Sequence, residues 1–543
     1  MLRLRWLGRV GYCDALALQR GLLSGPQDHL LLLEHPATYT LGLGADDADV
    51  LVPPASVGAD LVRTDRGGKV TYHGPGQLVG YPIVTVPGRR GGGLADTVSW
   101  VRSLEQLVID ALADVGLAGA ERDAHRRGVW VGGAKICAVG VRLARARSMH
   151  GFALNVDPDL AMFDHIVACG QPKGRTTSLA AEGHRVAMAE VVDAIVRRAA
   201  ERWGSGGWER QDVTEAARGH QSFPFAGGGA ATTGRDEPES EAPVRLASRL
   251  SRAGVGTGLE LRSRKPEWLR VPARMGPEFL SIRRTVGDLD LTTVCQEAGC
   301  PNIFECWAEG TATFMINGER CTRACAFCQV DTRRPEPPDP KEPEQVAEAV
   351  VRLGLDHAVV TAVARDDLAD GGAGAFAATI AAIRRRAPGC TVEVLIPDCR
   401  GDEGALGQVF AAAPEVCNHN LETVARLQRA VRPSAGYARS LALLARAKAA
   451  GLITKSGLIL GMGESDDEVI GALADLRGVG VDIVTLGQYL RPTSRHLPVA
   501  RWVAPATFET LARRGLELGL GHVEASPLTR SSHHARQALA AVT

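Results

Sequence analysis

Between Phe223 and about Ser263 the chain loses its apolar periodicity, and "FPFAGGGAATTGRDEPESEAPVR" substitutes Gly, Ala, Ser, Pro and charges of both signs. Such a stretch buries too little to order itself and reads as a flexible linker. A chain of 543 residues interrupted in this way must fold as two bodies rather than one. The expected organisation is a first domain over residues 1–210, a linker over 211–263 and a second domain over 264–543. Either half is long enough to bury a core of its own.

Charge narrows the choice of partner. With 62 basic and 62 acidic side chains the net charge is zero, so neither a nucleic acid nor an anionic membrane is expected as the main partner. The opening "MLRLRWLGRVGYCDALALQRG" interleaves arginines with apolar residues and lacks the unbroken apolar run of a secretory signal. No later stretch approaches the roughly 18 apolar residues of a spanning helix. The expected location is the cytoplasm, where clustered cysteines point to metal binding or catalysis rather than to disulfides.

The two halves differ in pattern. In the first, β-like runs such as "HLLLLEHP", "QLVGYPIVTV", "RGVWVGG" and "KICAVGVRLA" alternate with a few helical segments such as "LADTVSWVRSLEQLVIDALADVG", an α+β pattern. In the second, β-rich runs recur at 312–316, 357–363, 391–396, 415–419, 453–460 and 483–488, with helix-like segments between most of them. Six such alternations with buried-type strands predict a parallel α/β sheet, open or curved into a partial barrel. Function in such folds gathers at the carboxyl ends of the strands.

Immediately around the first of those strands lies "CQEAGCPNIFECWAEGTATFMINGERCTRACAFC", which holds six of the 12 cysteines. They form two triplets: Cys321, Cys325 and Cys328 in the loop 321–328, and Cys295, Cys300 and Cys306 in the segment 295–306. A structural zinc site wants four closed ligands, whereas three thiolates on a four-iron cube leave one iron open to a substrate or cofactor. Spacing favours iron-sulfur and leaves zinc open. Cys390, Cys399 and Cys417 read as core thiols.

"CTRACAFC" resembles the cluster loop of radical S-adenosylmethionine enzymes. Together with the first triplet, "DDLADGGAGAF", "NHNLETVARLQRAVRPSAGYARSL", "KSGLILGMGE", "LGQYLRPTSRHLPV" and "LTRSSHHA", the half resembles lipoyl synthases. The resemblance implies a partial (β/α)6 barrel and two 4Fe-4S clusters. Cys321, Cys325 and Cys328 would hold the cluster that binds S-adenosyl-L-methionine and, with one electron, yields a deoxyadenosyl radical. Cys295, Cys300 and Cys306, with Ser532 as fourth ligand, would hold an auxiliary cluster that is consumed as the sulfur source. An unactivated alkyl carbon has neither an acidic proton nor a leaving group, so a hydrogen-abstracting radical is what such chemistry needs. Three positions depart from the family's usual residues: His533 stands for Tyr, Cys399 for Phe and Ala375 for His.

The first half contains Cys13, Cys137 and Cys169. Cys169 ends an apolar run directly before a glycine in "IVACGQPKGRTTSL", and Lys135 lies in the apolar strand "GGAKICAVG", costly unless paired or functional. An ammonium near a thiol favours the thiolate and makes a nucleophile. Because i and i+2 share a face of a strand, Cys137 would lie beside Lys135 and stays open as an alternative to Cys169.

"LLLEHPATYTLG", "RGGKVTYHGPGQLVGYP", "GVWVGGAKICAVGVRL", "HGFALNVDPDLAMFDHIVACG" and "TTSL" resemble octanoyl carrier-protein transferases of the biotin and lipoate ligase superfamily. This implies the corresponding α+β fold, Cys169 as the acyl-thioester nucleophile and Lys135 as the lysine that lowers its pKa. It also implies an acyl-binding surface made of Arg66, Gly67, Gly68, Lys69, Val70, Thr71, Tyr72 and His73, with Ala138, Val139, Gly140, Gly151, Phe152 and Ala153. Ala168 replaces the family's usual Pro before the nucleophile.

The two resemblances imply one bifunctional enzyme of lipoate biosynthesis. Octanoyl would pass from octanoyl-acyl carrier protein through Cys169 to a lipoyl-domain lysine, and sulfur would then enter at carbons 6 and 8. The implied partners are lipoyl domains of 2-oxoacid dehydrogenase complexes, the glycine cleavage H protein and an electron donor such as ferredoxin or flavodoxin. Two alternatives differ in class: an ATP-dependent lipoate or biotin ligase in the first half, and a non-enzymatic iron-sulfur sensor or scaffold. The second predicts missing nucleophile or ligands, and none is missing.

Overall fold

The computed structural model describes the chain except residues 89–95, 168–174, 215–247, 257, 260–263, 271–274, 298 and 309–312. It divides into two compact units, residues 1–236 and 237–543.

The first unit is built on strands β1 (Leu2–Arg9), β2 (Asp28–Glu34), β3 (Thr38–Leu41), β4 (Asp60–Arg63), β5 (Val70–His73), β6 (Gln77–Ile83), β7 (Glu121–Arg122), β8 (Val129–Val131), β9 (Ala134–Ala144), β10 (Arg147–Asn155) and β11 (Trp208–Arg210). Eight of them form a mixed sheet in the order β11-β1-β2-β6-β10-β9-β8-β7, and β4-β3-β5 form a smaller one. Strand β1 shows why its alternating sequence suits an inner position. Leu2, Leu4 and Trp6 enter the core, while Arg3 and Arg5, on the opposite face, are buried against Glu209 of β11 at 3.3 and 2.8 Å. Helices Thr97–Asp114 and Met188–Trp203 cover the core face. The first starts where Asp96 accepts from the amides of Val98 and Ser99. Its Trp100, Val101, Leu104, Leu107, Val108 and Ala111 form the apolar stripe. The β-like runs and the helix read from the sequence all fall on these elements, as an α+β domain.

The second unit adds β12 (Thr292–Thr293), β13 (Thr313–Ile316), β14 (His357–Ala362), β15 (Thr391–Leu395), β16 (Val416–Asn418), β17 (Ile453–Leu460), β18 (Ile483–Gln488) and β19 (His522–Ala525). They pair in sequence order from β12 to β19. From β13 to β19 every pairing is parallel, and β12 alone runs antiparallel at the edge. Strands laid down in sequence order, most with a helix between them, give the wound α/β architecture of an opened barrel. The six expected strands correspond to β13–β18, with Ala312 outside the described residues. Strands β12 and β19 add to that reading, because two residues and the half-buried "HVEA" carry no apolar run to betray them.

Parts of the segment expected as linker belong to the second unit. Leu250 is buried, Leu259 donates its amide to the Val499 carbonyl at 2.7 Å, and Arg426 reaches the Ala253 carbonyl. Ordered chain of this unit therefore begins before residue 264.

Candidate active sites

In the first unit a cavity of about 490 Å³ collects the residues expected to bind an acyl chain. Its walls are Arg66–Lys69, Val70, Thr71 and His73 of β5, Lys135, Ala138, Val139 and Gly140 of β9, and Gly151, Phe152 and Ala153 of β10. Tyr72 is the one described residue of the expected set that the cavity lacks. Strand alternation sends it to the other face, where it packs with Tyr39 and Phe163 in a small core. Two glycines are needed for close approach. A Cβ at Gly151 would come 2.1 Å from the Gly80 carbonyl oxygen, and one at Gly140 would come 2.9 Å from that of Gly67.

The neighbourhood of Lys135 corrects the sequence reading of Cys137. The ladder slips between the Val129–Cys137 and Trp130–Lys135 pairs, so β9 carries an extra residue there. The bulge breaks the alternation that would set Cys137 beside Lys135. Lys135 turns to the cavity with its ammonium 4.6 Å from the Trp130 ring centroid, whereas Ile136 and Cys137 both enter the core. Burial drives the Cys137 thiol far above its usual range, which leaves it protonated and inert. Cys169, with Ala168 before it, lies outside the described residues, but its flanks do not. Val167 donates to the Asp49 carbonyl at 2.8 Å, Lys135 donates its amide to the Arg175 carbonyl at 2.8 Å, and Thr177 donates back to Lys135 at 2.9 Å.

Deeper in this site lies a set of neutral polar rings that sequence reasoning missed, apart from His73. His35 donates from Nδ1 to the Val10 carbonyl and accepts at Nε2 from the Tyr81 hydroxyl, both at 2.7 Å, and burial pulls its pKa down to about 4. His73 is held well below the usual histidine range by burial and then by His35 and Arg66. Gln77 donates from Nε2 to the Tyr72 carbonyl and to Asn155, so its Oε1 accepts from Nδ1 of His73 at 2.9 Å, and Nε2 of His73 keeps its lone pair. Tyr12, Tyr81 and His150 also line the cavity, as do Arg126, Arg127 and Trp130. Arg66 is buried and spends its fork on Thr40, at 2.7 Å to the carbonyl and 2.8 Å to Oγ1, pinning the glycine loop. Nothing in the sequence distinguished these rings from ordinary core residues.

In the second unit, loops at the carboxyl ends of the parallel strands enclose a cavity of about 740 Å³. It is lined by Cys295, Cys300, Cys321, Cys325, Cys328 and Ser532, so residues read from distant parts of the sequence meet in one place. Asn302 helps bring the chain's end back, donating to the Leu528 carbonyl at 2.7 Å. Cys306 is the exception. It is half-buried on helix Ile303–Ala308, against the core, and is not part of the cavity wall. Arg530 and Ser531, from the same segment as Ser532, also line the cavity, as do Glu422 and Arg432, which were not singled out from sequence.

The loop 321–328 is fastened at several points. Thr322 donates through both amide and hydroxyl to the Ala364 carbonyl at 2.9 Å, and Ala326 donates to Val431 at 2.9 Å. His496 Nε2 donates to the Cys328 carbonyl at 2.9 Å. Arg323 forks to Asp366 at 2.7 Å twice and to Asp398 at 2.5 Å. Burial opposes ionisation of Asp398, yet the Arg323 guanidinium holds its carboxyl below the usual range. This ion pair lies under the loop and ties it to the ends of β14 and β15.

The donor set fits iron-sulfur clusters. Among the described residues neither triplet brings its three sulfurs within 4.8 Å of one another, wider than the edge of about 3.8 Å in a tetrahedral zinc-thiolate site. Two backbone amides, Arg323 and Ala364, aim at Cys321 Sγ from 3.4 and 3.3 Å, the kind of donor that stabilises a cluster thiolate. Burial, with smaller contributions from the neighbouring thiols, pushes the Cys295 thiol up to about 11 and the Cys328 thiol up to about 12, so coordination to metal is what would ionise them at neutral pH. Cys390, Cys399 and Cys417 are buried in the core, as read from the sequence, and Ala375 packs against it.

Comparison with known proteins bears on both units. Residues 12–200 match the family model "Lipoyl protein ligase A/B catalytic domain", and residues 315–476 match "Radical SAM superfamily". The lipoyl synthase of Mycolicibacterium paratuberculosis is 52% identical over 298 residues, 55% of this chain and 95% of that protein. That of Rubrobacter xylanophilus is 54% identical over 278 residues, 51% of this chain and 87% of that protein. A solved structure of lipoate-protein ligase A bound with ATP aligns at 19% identity and a TM-score of 0.34, covering 39% of this chain and 89% of that one. The protein is an enzyme of lipoate biosynthesis, and its cofactors are S-adenosylmethionine and 4Fe-4S clusters. The chain belongs, through its C-terminal half, to the lipoyl synthase family, and carries ahead of it a lipoate ligase and octanoyltransferase type catalytic domain.

Proposed function

We propose that the chain carries out two successive steps, octanoyl transfer to a lipoyl-domain lysine and insertion of two sulfurs into the same octanoyl chain. The observation that carries this reading is the meeting of five of the six clustered thiols with Ser532 around one cavity at the strand ends.

In the first step the Cys169 thiolate attacks the octanoyl thioester of acyl carrier protein; the carrier leaves as a thiolate that takes a proton from the Lys135 ammonium, and an acyl-enzyme forms beside a neutral Lys135. The lysine amine of a lipoyl domain then attacks that thioester, Lys135 takes up its proton, and Cys169 is released as the amide forms. The reading is supported by Lys135 facing a glycine-lined cavity and by Arg175–Thr177, just past the segment of Cys169, pairing with its backbone. Val139, Phe152 and Ala153 offer the acyl chain an apolar wall. Arg66, Thr71 and His73 complete the surface around it.

In the second unit Cys321, Cys325 and Cys328 would hold the cluster that binds S-adenosylmethionine, and Cys295, Cys300, Cys306 and Ser532 the auxiliary cluster. When bound, these groups supply a carbon-centred radical able to remove hydrogen from unactivated carbon and the sulfur that replaces it. The protein's own part is to hold both ligand sets around one volume. Arg323, clamped by Asp366 and Asp398, fixes the loop, and Asn302 holds the end of the chain over the cavity, which Arg530 lines. Partners on this reading are octanoyl-acyl carrier protein, lipoyl domains and a low-potential electron donor such as ferredoxin or flavodoxin, in the cytoplasm. No helix among the described residues is long and apolar enough to cross a membrane.

The test of the first step is acyl capture without ATP. After incubation with octanoyl-acyl carrier protein, peptide mass spectrometry should find octanoyl on Cys169, chased off by an apo lipoyl domain. Transfer that requires ATP and leaves Cys169 unmodified would establish the ligase alternative instead.

A further inference from the structure

Next to the residues proposed for the auxiliary cluster, three side chains used in no step above come together. Helix Ile303–Ala308 presents Glu305, and the chain after Ser532 presents His533 and His534. One potential ligand atom from each lies within 4.8 Å of the other two. His534 has φ 51°, the left-handed region that few residues with a side chain adopt. The two consecutive rings stack with centroids 3.8 Å apart instead of pointing to opposite sides. His533 Nε2 is 3.8 Å from Glu305 Oε2. Glu524 of β19 reaches His534 Nδ1 at 3.3 Å and His522 Nε2 at 3.5 Å, a carboxylate that orients the imidazoles. His533 is buried, whereas Glu305 is exposed and His534 half-exposed, which leaves an ion a way in.

We propose that Glu305, His533 and His534 form a binding site for a divalent first-row transition ion, with Zn²⁺ as its probe. Two imidazole nitrogens and one carboxylate oxygen are a donor set for such ions and too rich in nitrogen for Ca²⁺ or Mg²⁺. With no thiolate in the set, the site is chemically separate from both cysteine triplets. An ion held here ties the helix carrying Cys306 to the segment carrying Ser532, elements joined otherwise by Asn302 and Leu528.

The experiment uses the full chain with its clusters reconstituted, dialysed against Zn²⁺, with zinc and iron measured in the same sample and zinc K-edge absorption recorded. The expected result is one zinc per chain with iron unchanged, nitrogen and oxygen ligands at about 2.0–2.1 Å, and no Zn–S shell near 2.3 Å. His533→Tyr and, independently, Glu305→Gln should each weaken zinc binding at least tenfold. Zinc bound only through sulfur with loss of iron, no zinc bound, or binding by both variants as tight as by the unaltered chain would overturn the proposal. Failure of the wild-type chain to take up iron would count against the proposed function and leave the zinc result to be read by itself.

Discussion

The first unit's cavity is walled mainly by the strands β5, β9 and β10, with a bulge and glycines setting its shape, and its lining combines the buried His73 and His150, whose pKa values burial lowers, with the cations Arg66, Lys69, Arg126, Arg127 and Lys135. The second unit's cavity is walled largely by loops at the ends of its parallel strands, pinned by charge pairs and carbonyl contacts. The first arrangement suits an acyl exchange, where the protein must shape a slot and position one nucleophile. The second suits large charged cofactors, whose ligands must arrive from separate parts of the chain. A site made by strand geometry should fail locally when altered; a site made by loops should fail through loss of loop placement.

The largest contrast should come from the proposed reactive residues. Cys321→Ala should abolish sulfur insertion while octanoyl transfer continues, as read from the intact mass of the lipoyl domain. Cys169→Ser should slow octanoyl transfer by about 10³-fold or more, with cluster content unchanged. Cys137→Ser should leave the rate of the folded enzyme within a few fold, since that thiol faces the core.

Next in size is the loop clamp. Arg323→Ala leaves Asp398 buried without its principal cation and should cost about 3–5 kcal/mol, seen as a lower unfolding midpoint of the second unit and less iron bound per chain. The same substitution should leave acyl capture in the first unit intact.

Acid should separate the units by a smaller amount. His35 has its folded pKa lowered to about 4, so it contributes stability present above the unfolded histidine value and lost as pH falls toward 4, about 3 kcal/mol in all. His73 acts in the same direction. In the second unit His419 behaves alike, but Glu342 and Glu464 have raised pKa values, mainly from burial, and their protonation on acidification works the other way. Denaturant midpoints between pH 6.5 and 4.5 should fall further for the first unit than for the second. The smallest effect is steric. Gly151→Ala forces a Cβ against the Gly80 carbonyl and should cost about 1–3 kcal/mol, detected as a lowered midpoint of the first unit alone.

The legibility of the two halves follows the same division. Strands β13–β18 were readable because each is a short buried run between helical segments, and the cysteine spacings carried their chemistry openly. The approach of Ser532 to the cysteines was foreseen only from family resemblance, since no local pattern encodes contacts between residues 302 and 528. In the first half Lys135 was conspicuous as a charge in an apolar strand. The bulge that parts it from Cys137 was invisible, because an extra residue in a ladder depends on the partner strand. Tyr72 was misplaced with the acyl-binding loop for a related reason: a contiguous motif says nothing of which alternate residues face the cavity. The ring cluster of Tyr12, His35, Tyr81 and His150 comes from four separated segments, and each ring alone looks like a core residue.

The central claim is that each cavity performs one of two successive steps, and it is tested most directly by mixing two disabled chains. Cys169→Ala and Cys321→Ala, with clusters reconstituted, are supplied together and separately with octanoyl-acyl carrier protein, an apo lipoyl domain, S-adenosylmethionine and reductant, and the lipoyl domain is weighed. The account predicts no modified domain from Cys169→Ala alone, an octanoylated domain from Cys321→Ala alone, and the sulfur-containing product from the mixture. Sulfur insertion by Cys321→Ala alone, or a mixture that stops at the octanoylated domain while the unaltered chain completes both steps, would contradict it.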